Sequence, residues 1–227
     1  ALTQIADPAR RLGGRGLAIG GIVTGIIGCT LVPALLLISI LLPALSAARS
    51  SAKQVQSSSQ LRGIHQGAVF HAQGNNGHYP GLNRSGEVLD GTVEGRYQLL
   101  LQASYFTGEY AISPAETKSP WTGGAVDTSM YSYSMQQIAT PGKRREEWSE
   151  TTNAEAVALS DRAVDQPGGG IGSIHTTTDG RTWRGGVAWN DNHVSQEWDY
   201  ILWTNHGGVP TTDDNIFEPA GGDDAYT

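Results

Sequence analysis

The chain has 227 residues, with 15 basic and 22 acidic side chains for a net charge of −7, and a single cysteine, Cys29. A chain of that size holds one or two domains, its acidic balance argues against nucleic acid as a partner, and one cysteine excludes an internal disulfide. All six tryptophans lie at or beyond Trp121, so the aromatic mass of any core belongs to the C-terminal part.

Residues 1 to 16, ALTQIADPARRLGGRG, lack apolar periodicity and contain Pro8, Gly13, Gly14 and Gly16, and a flexible arm is expected there. Arg10, Arg11 and Arg15 against Asp7 give it a net charge of +2, which leaves −9 for the remainder. A basic flank before an apolar span predicts a cytoplasmic N-terminus and an exported acidic domain. Secretory signals begin in the same way, but the apolar run here is too long for a signal's apolar region.

From Leu17 to Ala48 no residue is charged. One helix is expected over residues 17–73, its first half long enough to cross a hydrocarbon core of roughly 30 Å at about 1.5 Å per residue. Gly20, Gly21, Gly25 and Gly28 are spaced to let helix backbones approach closely, at a cost in helix propensity that predicts local unwinding. Pro33 and Pro43 each remove a backbone donor and predict a kink or a break that packed neighbours would have to satisfy. With Leu36, Ile40 and Leu45, these are the candidate packing residues of a membrane span or an assembled core. Ile26-Ile27-Gly28-Cys29 has the form of a lipoprotein processing site, although another long apolar segment follows it.

Beyond Arg49 the pattern becomes amphipathic, with Ala48, Ala52, Val55, Leu61, Ile64, Ala68 and His71 at spacings of mostly three and four. Gly74-Asn75-Asn76-Gly77 is a helix stop, because Gly and Asn accept the left-handed conformation. Residues 74–227 then read as a small β-rich head, giving an α+β chain with an antiparallel sheet. Residues 95–106 suggest a short helix or a buried strand. Residues 131–136, 156–160, 184–189, 193–198 and 200–204 suggest strands, with Asn190-Asp191-Asn192 as a hairpin turn. Residues 141–153 and 166–181 read as loops, and residues 211–227 as an acidic surface tail.

The segment LLPALSAARSSAKQVQSSSQLRGIHQGAVFHAQGNNGHYPG, Leu41 to Gly81, resembles the N-terminal helix and exit loop of bacterial type IV pilin-like proteins and secretion-system pseudopilins. Tyr131 to Met135, Ala158 to Asp161 and Gly186 to Val194 are weaker echoes of strands in the pseudopilin head. Aligned on Pro43, the family's mature first residue falls at Ile22 and its near-invariant glutamate at Ile26. That glutamate pairs in the family with an amine that leader cleavage creates, so its absence here goes with an uncleaved leader. The resemblance implies a structural subunit that polymerises through its apolar helix into an extracellular filament. Its partners would be identical subunits, an assembly machinery and, before assembly, the inner membrane. The alternatives are a minor pseudopilin of a secretion system and an anchored surface binding protein that never polymerises.

No catalytic or nucleotide-binding motif is present, so no enzyme and no cofactor is expected. Some secretion pseudopilins bind calcium through loop carboxylates, and Asp161, Asp165 and Asp191, grouped with His175, Asp179 and His193, offer the hard oxygen ligands that calcium prefers. The competing reading is solvated turn residues. Asn83-Arg84-Ser85 has the form of an N-glycosylation site, and Thr176, Thr177 and Thr178 could carry sugar on an exported surface.

Overall fold

The structure is a computed structural model and describes residues 14–166, 170–176 and 182–217. The chain forms two compact units that meet in sequence at Ser50 and Ser51. Most of the expected N-terminal arm, Thr177, Thr178, Asp179 and the end of the expected tail lie outside the described residues.

Helix α1 runs from Arg15 to Gln73 without interruption. The expected unwinding at the glycines and break at the prolines do not occur. Each proline withdraws one donor, while the i→i−4 bonds of the surrounding residues continue to hold the helix. The polar half of α1, from Ser51, belongs to the second unit. It ends in a turn where Asn76 and Gly77 take positive φ, at 58° and 83°, and Gly77 N–H donates back to the Ala72 carbonyl at 2.9 Å. That turn is the stop the sequence announced.

Helix α2, Val93–Gln102, is capped by Thr92, whose hydroxyl accepts from Gly95 N–H at 3.1 Å. This settles residues 95–106 in favour of a helix, with Tyr97, Leu100 and Leu101 on its buried face. A 3-10 turn follows at Gly108–Ala111. A short helix α3, Lys143–Glu147, occupies part of an expected loop.

Strands β1 (Tyr133–Met135), β2 (Val157–Asp161), β5 (Gly185–Trp189) and β6 (Val194–Glu197) make a four-stranded antiparallel sheet in the order β1-β2-β5-β6. Between them, β3 (Ala163–Asp165) and β4 (Ile171–Ser173) pair as a small antiparallel sheet, so the expected loop at 166–181 contains a strand. A third sheet pairs β7 (Ile201–His206) with β8 (Val209–Asn215). Residues 211–215 are therefore a strand rather than a surface tail. Asp214 is buried there and its carboxylate meets the Arg144 guanidinium at 2.6 Å, a long-range pairing with no local sequence signature.

Two apolar clusters fill the second unit. The larger joins Leu61, Ile64, Ala68 and Ala72 of α1 to Tyr97 and Leu100 of α2 and to Tyr133, Met135, Leu159 and Ala188 of the four-stranded sheet. The smaller joins Val157, Val187 and Trp189 of that sheet to Trp183, Leu202 and Ile216. Buried aliphatic side chains such as Leu61 and Ile64 each stabilise the unit by about 1.5–3 kcal/mol. Arg96 is fully buried as well. It donates to the Gln136 carbonyl at 2.7 Å and lies over the Trp148 ring, and burial lowers its pKa to about 10, so it stays charged at neutral pH.

Candidate membrane or assembly segment

Between Leu17 and Leu45 every Leu, Ile and Val of α1 is exposed. Leu35, Leu36, Leu37 and Ile38 are all exposed although they point in four directions about 100° apart, so the apolar surface encircles the helix. The helix is long and apolar enough to cross a membrane. An apolar surface this large is not stable against water and marks a segment built for lipid or for other protein.

The polar atoms of the segment are arranged for the same environment. Thr24 donates its hydroxyl to the Gly20 carbonyl, Thr30 to that of Ile26 and Ser39 to that of Leu36, each at 2.8 Å. Hydroxyls satisfied within their own helix carry little cost into an apolar medium. A Cβ added at Gly20, Gly21, Gly25 or Gly28 meets nothing within 4 Å, so the glycine faces are open in the single chain. Pro33 and Pro43 deprive the carbonyls of Cys29 and Ser39 of their usual donors. Ile26 is exposed like Ile22, Val23 and Ile27.

The polar half of α1 is seated in the second unit by hydrogen bonds as well as by apolar contact. Ser57, fully buried, donates to Asp161 Oδ1 at 3.0 Å and lies 3.1 Å from the Tyr133 hydroxyl. Tyr133 donates to Gln60 Oε1 at 2.7 Å, and Gln60 Nε2 donates to the Ile112 carbonyl at 3.1 Å. Two turns further on, His65 Nδ1 is 3.1 Å from Asn192 Oδ1 and its Nε2 is 3.3 Å from the Tyr79 hydroxyl. Burial lowers the pKa of His65 and raises that of Tyr133, so both are neutral near pH 7. The sequence carried one signal of this seat. Ser57, Gln60 and His65 fall on the same helical stripe as Leu61, Ile64 and Ala68, and polar residues within an apolar stripe call for buried partners.

The three candidate calcium ligands do not converge. Asp161 is completely buried and occupied: Oδ1 accepts from Ser57 and Oδ2 from Gly186 N–H at 2.7 Å, with His175 Nε2 3.4 Å away. Asp191 lies in the turn beyond Trp189, which pairs with Val157 at the end of β2 opposite Asp161, about 13 Å away along the strand. Its Oδ1 accepts from His193 N–H at 2.9 Å. Asp165 is exposed at the end of β3. Among the described residues, no three His, Cys, Asp or Glu side chains are placed to hold a metal ion.

Thr176 is buried and its hydroxyl accepts from Ser173 N–H at 2.9 Å, so it leaves no room for a sugar. Asn83 accepts from Ser85 N–H and Glu87 N–H through Oδ1 and donates to Glu87 through Nδ2. Its amide therefore shapes the turn that contains the sequon. Comparison with protein families, with characterised proteins and with solved structures finds no match for this chain.

Proposed function

We propose that this chain is the structural subunit of an extracellular pilin-like filament. The apolar half of α1 buries itself among the same segments of neighbouring copies, and the acidic β-rich unit remains outside. Before assembly the subunit is a single-pass membrane protein with its N-terminus in the cytoplasm. The observation that carries the reading is the exposed apolar surface of α1, encircling a helix whose polar half is fixed into a folded unit. Sixteen large side chains stand exposed between Leu17 and Leu45. Relative to exposure in water, sequestering them at about 1.5 kcal/mol or more each is worth tens of kcal/mol per subunit, which keeps the segment in lipid or in the assembled core; close helix packing then favours the core over lipid. The open glycine faces admit close helix contacts, and neighbouring helices supply groups to the carbonyls that the prolines leave free.

A second reading rests on the length and composition of the same segment. It is an anchor for a surface protein that never polymerises, with Arg49 and Lys53 following the apolar run as membrane-interface residues. Shearing intact cells, followed by fractionation and electron microscopy, separates the two. Filaments in the sheared fraction that contain the chain support the first reading. Recovery of the chain in membranes alone, without fibres, overturns it.

A further inference from the structure

Charge is divided along this chain more sharply than its total suggests. Of 22 acidic and 15 basic residues, only Asp7 and seven bases precede Glu87, which leaves 21 acids against 8 bases from Glu87 onward. No acid occurs anywhere between Asp7 and Glu87, so α1 carries only positive charge. Within the second unit α1 keeps an exposed face away from the core. Ala52, Val55, Ser59, Arg62, Gln66 and Phe70 follow one another at three- and four-residue spacing and are all exposed. That spacing is the one helices use for packing against a partner. Val55 is 71% and Phe70 50% exposed, large fractions for apolar side chains on a folded unit. Arg62 forms no ion pair among the described residues. The β-rich part of the same unit is acidic, and Glu109, Glu150, Asp199 and Asp213 are exposed on it.

We infer that this outer face of α1 is a docking surface for the acidic β-rich unit of a second copy. Val55 and Phe70 supply the apolar contact, and Arg62 pairs with a carboxylate from the region beyond Glu87. The inference rests on the filament reading and adds to it a contact outside the apolar segment. The charge division decides the occupant. A second copy presents an excess of acid to a helix that has none, whereas two such helix faces meeting each other would place Arg62 against Arg62. Opposite charges across the contact favour it over that helix-to-helix alternative.

The test uses full-length chain, mixed from ordinary and isotope-labelled copies, assembled and treated with a zero-length carbodiimide, which joins amines to carboxylates. An R62K variant presents an amine in place of the guanidinium. The expected result is a cross-link from position 62 of one isotope form to an Asp or Glu beyond position 86 of the other. Alongside it, R62E and F70S should raise the concentration needed for assembly by about fivefold each, with circular dichroism and thermal melting of the folded unit unchanged. Assembly of R62E and F70S at the wild-type concentration, or assembled R62K without intermolecular cross-links at position 62, overturns this contact and leaves the filament reading standing. Failure of the wild-type chain to assemble at all overturns both.

Discussion

Asp214→Asn is the most informative single change in the β-rich unit. Asp214 is 1% exposed, and its Oδ2 meets Arg144 Nη2 at 2.6 Å and accepts the Thr204 hydroxyl at 2.5 Å. Arg144 is itself buried on α3. The asparagine keeps the shape and still offers Thr204 an acceptor, but it removes the negative charge from the buried pair that Asp214 makes with Arg144. Breaking a buried pair from one side costs about 3–5 kcal/mol, a large part of the roughly 5–15 kcal/mol that holds a domain folded. Asp213, its exposed neighbour, is the control, because a surface substitution there changes stability by about 0.5 kcal/mol at most. All six tryptophans lie beyond residue 120, so urea unfolding followed by tryptophan fluorescence in detergent reads this unit alone. Indistinguishable unfolding midpoints for D214N and D213N would refute the argument.

Acid should weaken the same region. Burial, and then the Arg144 charge, depress the His206 pKa from 6.5 to about 4, so the unfolded chain takes up its proton first. The stability attached to this group is complete above pH 6.5 and is lost as pH falls toward 4, by about 3 kcal/mol; urea midpoints across that range measure it, and H206Q should flatten the slope. Leu61→Ala, at a fully buried contact between α1 and the sheet, is expected to cost about 2–5 kcal/mol in the same unfolding assay. Gly81→Ala should cost about 1–3 kcal/mol or more, because Gly81 has φ of +93° and an added Cβ would lie 2.5 Å from the Asp90 carbonyl oxygen. In the apolar segment, Ile40→Arg should disfavour membrane insertion by about 2.5–3.5 kcal/mol, seen as loss of the chain from the carbonate-resistant membrane fraction.

The elements with strong local patterns were legible. An uncharged run of this length reads as an apolar helix, and the 3.6-residue stripe at Leu61, Ile64 and Ala68 marks the face that the fold buries. The Asn190-Asp191-Asn192 turn lies between β5 and β6, where Asn192 takes φ of 70°. What stayed hidden depends on distant partners. Residues 211–215, TTDDN, look like solvated tail because their one buried side chain, Asp214, is compensated by Arg144, 70 positions away. The three-residue strand β4 is too short to show a period. Asp161 invites a metal reading until its two oxygens are seen to be taken by Ser57 and Gly186. Thr176 looks like a surface threonine because nothing nearby in sequence betrays its burial.

The polar ties of α1 to the β-rich unit that begin at Ser57 and end at His65 have a mechanical consequence. Ser57 and His65 are eight residues apart, about 12 Å along the helix axis, and between them lie the buried side chains of Leu61 and Ile64. A pull along the helix loads these ties and the apolar contact between them together rather than one after another. Extraction of α1 from the unit under tension should therefore occur in one abrupt step at a well-defined force.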